Sequence, residues 1–349
     1  MSGPVLAGVA VVFWSTNAVA AKVTLAEMTV AQVLALQFAG AALTLIVLQL
    51  ASGPRERAPA SSTARLWALG IIGIVGTISF QYLAFRHSPI VQANIIAYGW
   101  PLFAAIWWGI AHRSGTSAWF VLCAVLGFAG VALIIGNGRA VSLSFAFLGG
   151  YLFALASALC MAFYTLAAGR LRDPGPAVLL PALGLGFAGS LFLAVESGAA
   201  WPAIQALLLG LYIGIGPMAL GYFLWMRAMS GGNPAAIAQL GFVTPLLSTL
   251  WLFVAGETLS GTAFAGGVLV IGSSTAAMLL DRSERRRRTS ADLWARIERR
   301  DAPTIAGERR RPASLVNPKC EYVGFVAASG PDHGTGQPET HEPGLAARA

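Results

Sequence analysis

The chain has 349 residues, of which 56% are hydrophobic and only 11% charged, and its mean hydropathy is +0.68. That excludes a soluble protein of this length. The formal net charge of +8 is no nucleic-acid footprint, because 13 of the 23 basic residues lie from Arg282 onward. Cys123, Cys160 and Cys320 form no pair at metal spacing, so neither a disulfide framework nor a metal site is expected.

In chain order, the first apolar run, Val5 to Ala21, has no positive segment ahead of it and meets its first charge at Lys22. A retained first helix is expected rather than a cleaved leader. Ten runs in all come close to the roughly 20 residues that cross about 30 Å of hydrocarbon. They lie at approximately 5–23, 30–51, 64–86, 89–111, 117–136, 147–169, 176–195, 204–227, 234–255 and 262–280. An even number puts both termini on one side. Arg55, Arg57, Arg65, Arg113, Arg170, Arg172 and Arg227 fall on that side, against Lys22, Arg86 and Arg139 on the other. By the positive-inside rule both termini are cytoplasmic, and the basic run Arg282–Arg288 agrees.

Two stretches echo each other. Asn94-Ile-Ile-Ala-Tyr-Gly-Trp-Pro101 and Ala238-Gln-Leu-Gly-Phe-Val-Thr-Pro245 both lie in apolar runs and end in proline, at an offset of 144 residues. A lipid-embedded helix tolerates proline where neighbours or a polar cavity satisfy the freed carbonyl, so Pro101 and Pro245 predict paired helix breaks beside a pore. Two units of five spans necessarily run in opposite directions, the inverted-repeat plan of many secondary transporters. The expected fold is thus an all-α integral membrane protein, about ten transmembrane helices in two inverted five-helix repeats. Residues 1–138 and 139–281 form the repeats, and 282–349 a basic cytoplasmic tail, disordered or at most a short surface helix.

Phe13-Trp-Ser-Thr-Asn-Ala-Val-Ala-Ala-Lys22 resembles the first-helix signature of the drug/metabolite transporter superfamily, the EamA-like family, and Met161-Ala-Phe-Tyr164 through Arg170 resembles its sixth-helix counterpart. Tyr98-Gly-Trp-Pro101 and Phe242-Val-Thr-Pro-Leu-Leu-Ser248 are similar to the aromatic amino acid exporters. The resemblance covers about residues 5–280. It implies export of amino acids, aromatic or broadly neutral, or of similar small metabolites across the inner membrane, with the lipid bilayer and a small-molecule substrate as partners. It implies no cofactor and no nucleic acid, and is compatible with a monomer. One departure is that the first-half counterpart of Glu257, the acidic residue after the ninth helix, is Arg113 rather than a second acid.

Polar amides at membrane depth are costly unless they meet a partner or water, so Asn17, Gln81, Asn94 and Gln239 point to the interior, with interhelical hydrogen bonding as the alternative for each. Trp14, Tyr82, Tyr98, Trp100 and Tyr164 complete the expected substrate-binding set, since rings offer a stacking surface or hold an ammonium. On an unbroken helix Tyr98 and Trp100 diverge by about 200°, which gives Trp100 to the cavity and Tyr98 to a neighbouring helix unless the proline distorts the turn. Trp67, Trp107, Trp108, Trp119, Trp201 and Trp251 read instead as an interfacial belt. Gly70, Gly73 and Gly76, and Gly210 with Gly214, read as close helix packing.

No Asp or Glu lies centrally in a span, and His87 and His112 sit at span ends. Uniport is therefore favoured over proton coupling, a proton-coupled drug or metabolite exporter being the alternative. Neither Lys22 nor Lys319 follows a glycine in a phosphate-binding loop, and no His/Asp/Glu cluster suggests catalysis, which disfavours an intramembrane enzyme. A membrane scaffold is the remaining alternative.

Overall fold

The computed structural model describes residues 2–52, 63–112, 116–171, 174–200, 202–230, 233–254 and 260–301. Arg55, Arg57, Arg113, Arg172, Trp201 and Glu257, and the chain beyond Asp301, lie outside them, as does the side chain of Lys22.

Among the described residues, nine helices are long and apolar enough to cross a membrane. They follow α1 (Gly3–Glu27), whose 25 residues extend about 37 Å at 1.5 Å per residue. The nine are α2 (Val30–Ala51), α3 (Ala64–His87), α4 (Ile90–Ala111), α5 (Ser117–Gly136), α6 (Phe145–Ala168), α7 (Pro176–Glu196), α8 (Ile204–Ser230), α9 (Pro234–Trp251) and α10, which begins at Gly261. No strand is present among the described residues. In hydrocarbon only a helix satisfies its own backbone, so hydropathy alone dictates this architecture.

Large apolar side chains such as Leu43, Ile110, Phe192 and Phe264 are turned outward, while the interior mixes many alanines and glycines and single polar groups with large side chains such as Trp225, Tyr164 and Phe38. That is the reverse of a soluble helical bundle and suits lipid as solvent. Trp67, Trp107, Trp119 and Trp251 are among the exposed rings.

The packing repeats when each helix is exchanged for the one five places on. α1 packs on α8 and α9, and α6 packs on α3 and α4; α2 meets α7, and α4 meets α9. Close approach is built from small residues at individual crossings. A Cβ on Gly40 of α2 would lie 2.8 Å from the Leu211 carbonyl oxygen of α8, and one on Gly73 of α3 would lie 2.8 Å from the Tyr164 ring of α6.

Two irregularities also repeat. α3 and α8 each contain an eight-residue π segment, Leu69–Gly76 and Gly214–Gly221, the second holding Pro217. α4 is split into Ile90–Ala97 and Trp100–His112, and α9 passes from Pro234–Ala238 through a 3₁₀ turn, Gln239–Phe242, into Val243–Val254. In both cases the regular helix resumes within three residues of the proline, where its missing N–H does least harm. Tyr98 N–H still reaches the Asn94 carbonyl, but Gly99 N–H turns back to Ile96, and Pro101 has no hydrogen to give the carbonyl of Ala97.

The last helix differs from the sequence expectation. Instead of yielding to a tail at Arg282, α10 continues as helix to Asp301. No glycine or proline interrupts the sequence between Gly272 and Pro303, and Arg285 pairs with Asp281 one turn back at 2.8 Å.

Candidate functional site

The breaks and π segments converge on one central cavity of about 80 Å³. Trp14 and Asn17 reach it from α1, Gln81 and Tyr82 from α3, and Tyr98 and Trp100 from α4; α8 contributes Ile213, Pro217, Met218 and Tyr222. Thr77 and Ser157 add hydroxyls, Gln37 an amide, and Thr244 of α9 stands directly before Pro245. Ala97, whose carbonyl Pro101 cannot serve, is also in the wall. Among the described residues the lining contains no Asp, Glu, Lys, Arg or His.

Aromatic rings form the firmest wall. Trp225, fully buried behind the surface, takes Trp14 at 4.9 Å between ring centroids and Trp100 edge-on at 5.4 Å. Tyr222 meets Trp14 at 5.5 Å and Tyr164 at 5.3 Å. Hydrogen bonds fix these rings: Trp14 Nε1 donates to the Pro217 carbonyl at 2.9 Å, Tyr164 Oη to the Tyr222 carbonyl at 2.8 Å, and Trp225 Nε1 to Thr165 Oγ1 at 3.1 Å. A Cβ at Gly241 would overlap the Trp100 ring, so only glycine admits it there.

The polar groups divide into two kinds. Gln37 Nε2 donates to Tyr82 Oη at 2.5 Å, and Ser157 Oγ to the Thr77 carbonyl at 2.8 Å, both joining neighbouring helices. Asn17 Oδ1 and Thr244 Oγ1, by contrast, are buried with no hydrogen-bond partner. A dry unpaired acceptor costs about 1–3 kcal/mol, and two of the four such buried atoms among the described residues belong to this cavity, the others being Tyr151 Oη and Gln239 Oε1.

Of the residues singled out in the sequence, Trp14, Asn17, Gln81, Tyr82, Tyr98 and Trp100 share the cavity, and Asn94, Tyr164 and Gln239 do not. Gln239 is fully buried and donates from Nε2 to the Phe120 carbonyl of α5 at 3.4 Å, an interhelical tie. Tyr164 lies one layer back, locked to Tyr222. Asn94 accepts Tyr98 N–H at its carbonyl, just before the break. The two rings of α4 were expected to diverge; the split at Tyr98-Gly99 turns both inward. Gln37 was passed over, although an amide in the apolar run Val33–Leu50 is the same signal that marked Gln81.

This constellation lines a cavity inside a duplicated helical membrane bundle. The chain belongs to the EamA-like transporter family, which it matches twice, over residues 1–136 and 148–279. It is a multi-pass membrane transporter, not an enzyme. It is similar to an "Aromatic amino acid exporter YddG" of Ancylobacter novellus, 30% identical over 221 residues, 62% of this chain and 77% of that protein. An "Uncharacterized transporter YwfM" of Bacillus subtilis is 26% identical over 223 residues, 60% and 74% of the two chains. An "Uncharacterized transporter" of Archaeoglobus fulgidus is 23% identical over 218 residues, again 60% and 74%. A crystal structure 26% identical in sequence superposes with a TM-score of 0.70, covering 80% of this chain and 98% of that one.

Proposed function

We propose that the protein exports neutral amino acids, with aromatic ones among them, across the inner membrane by alternating access and as a uniporter, both termini being cytoplasmic. The observation that carries the reading is the pairing of two unsatisfied buried oxygens, Asn17 Oδ1 and Thr244 Oγ1, with a wall of Trp14, Tyr98 and Trp100 around one cavity. The oxygens, with the carbonyl of Ala97, offer acceptors to an ammonium; the rings offer a surface to an apolar or aromatic side chain. The similarity to an aromatic amino acid exporter supports the same substrate class. The lack of any carboxylate or histidine among the described residues of the lining supports transport without a proton passing through the site.

A cavity of about 80 Å³ holds a few waters and is smaller than the roughly 300–1,000 Å³ of ligand pockets. The helices must part to admit a substrate, and the broken α4 and α9 and the π segments of α3 and α8 are the joints available for it. The test is uptake into liposomes of labelled amino acids, nucleobases and quaternary amines, with and without a pH gradient. Neutral amino acids should equilibrate with no gradient imposed. Uptake confined to quaternary amines and dependent on the gradient would instead establish a proton-coupled drug exporter.

A further inference from the structure

A second concavity, of about 880 Å³, opens at the face of the bundle opposite the start of α1, among the α1–α2 turn, the end of α3 and the α7–α8 connection. Among the described residues its wall carries one acid, Glu27, and one base, Arg86, both exposed. Among the described residues neither is paired with an opposite charge, so the two charges share a hollow without neutralising each other. Gln32 holds the hollow's shape, its Nε2 donating to the Ala200 carbonyl at 3.0 Å.

The hollow stands over the central cavity. Tyr82 lines the cavity and Arg86 the hollow; they are four residues apart on α3, neighbours on one helix face and about 6 Å apart along the axis. Between the two spaces lie the Gln37–Tyr82 hydrogen bond and the edge contact of Tyr82 with Phe85, ring centroids 6.0 Å apart.

We propose that this hollow is a second, shallower site that binds the zwitterionic head of an amino acid, its carboxylate on the Arg86 guanidinium and its ammonium on the Glu27 carboxylate. The proposal rests on the amino-acid reading of the central cavity. A guanidinium takes a carboxylate in two parallel hydrogen bonds. A fixed acid and base of no net charge favour a dipolar ligand over a net cation or anion. The described residues of the central lining carry no formal charge, so the head is sorted by charge at the rim and the side chain by shape within. Captured ligand raises the local concentration above the Gln37–Tyr82 contact and sets the half-saturation on this face.

The experiment is sided flux in oriented proteoliposomes with phenylalanine, its methyl ester, which lacks the carboxylate, and N-acetylphenylalanine, which lacks the ammonium. Arg86→Gln should raise half-saturation for phenylalanine on this face about 1.5- to 5-fold, matching one exposed charge-assisted contact, and leave the methyl ester unchanged. Glu27→Gln should do the same for phenylalanine and spare the N-acetyl compound. Added salt should reproduce part of both effects in the native protein. Equal losses for all three compounds, or no change in either variant while native protein still carries phenylalanine, would overturn the second site alone. Failure of the native protein to carry phenylalanine would overturn both readings.

Discussion

The indole N–H of Trp14, in the first helix, donates to the carbonyl of Pro217, in the π segment of the eighth, at 2.9 Å. A π segment displaces the regular ladder and leaves carbonyls in need of donors; here a side chain from the other half of the molecule supplies one. The bond joins the two repeats at the cavity wall, where Trp14 and Pro217 both stand. Trp14→Phe keeps an aromatic ring and strands that carbonyl. It should destabilise the protein by about 1–3 kcal/mol, measured by thermal unfolding in detergent, whereas Trp107→Phe on the outer surface should cost a few tenths. Equal stability of the two variants would remove the bond from any structural role.

Thr244 separates binding from folding. Its hydroxyl is buried and unpartnered, so Thr244→Val removes an unsatisfied group and should leave stability unchanged or slightly raised. If the hydroxyl is held for substrate, half-saturation for neutral amino acids should rise about 3- to 10-fold, the worth of one hydrogen bond. Unchanged half-saturation with unchanged stability would take Thr244 out of the site.

Trp100→Ala should weaken aromatic substrates by about 2- to 30-fold, from a ring contact of roughly 0.5–2 kcal/mol. Because Trp100 also packs on Trp225 and Gly241, stability will fall too, and the informative quantity is the ratio between substrates. Phenylalanine should lose more than alanine. A loss of the same size for both, and for Trp107→Ala, would make Trp100 ordinary packing.

Gly40→Ala tests the crossing of α2 and α8. Its Cβ would meet the Leu211 carbonyl oxygen at 2.8 Å, and backbone on both sides cannot yield cheaply, so a loss of about 1–3 kcal/mol is expected. Gly184→Ala, with nothing within 4 Å of its Cβ, should instead gain slightly in helix propensity. Comparable unfolding temperatures for the pair would mean the crossing is looser than its geometry.

Single cysteines in a background lacking Cys123, Cys160 and Cys320 test orientation. Ser290→Cys, on the extension of α10, should react in intact cells only with membrane-permeant reagents, and Ala140→Cys, between α5 and α6, with impermeant ones. Labelling of residue 290 from outside would reverse the assignment.

The sequence by itself determined the spans, the all-helical architecture and the family, because a bilayer leaves the backbone no alternative to helix and makes length and apolarity sufficient signals. The paired prolines likewise announced where α4 and α9 lose regularity, since a missing N–H acts locally. Only the tertiary structure decided which polar groups share a space. Gln81 and Gln239 are equally anomalous in an apolar run, yet one faces the cavity and the other ties α9 to Phe120. Tyr98 and Trp100 share the cavity through a break whose shape depends on the glycine between them and on the helices packed around it. Helical periodicity assigns a residue to a face of a helix, but in lipid both faces are apolar, so the pattern does not say which one turns inward. That is set by which small residues let neighbouring backbones meet, as Gly40 does against α8 and Gly73 against α6, and these are long-range pairings that no local pattern carries.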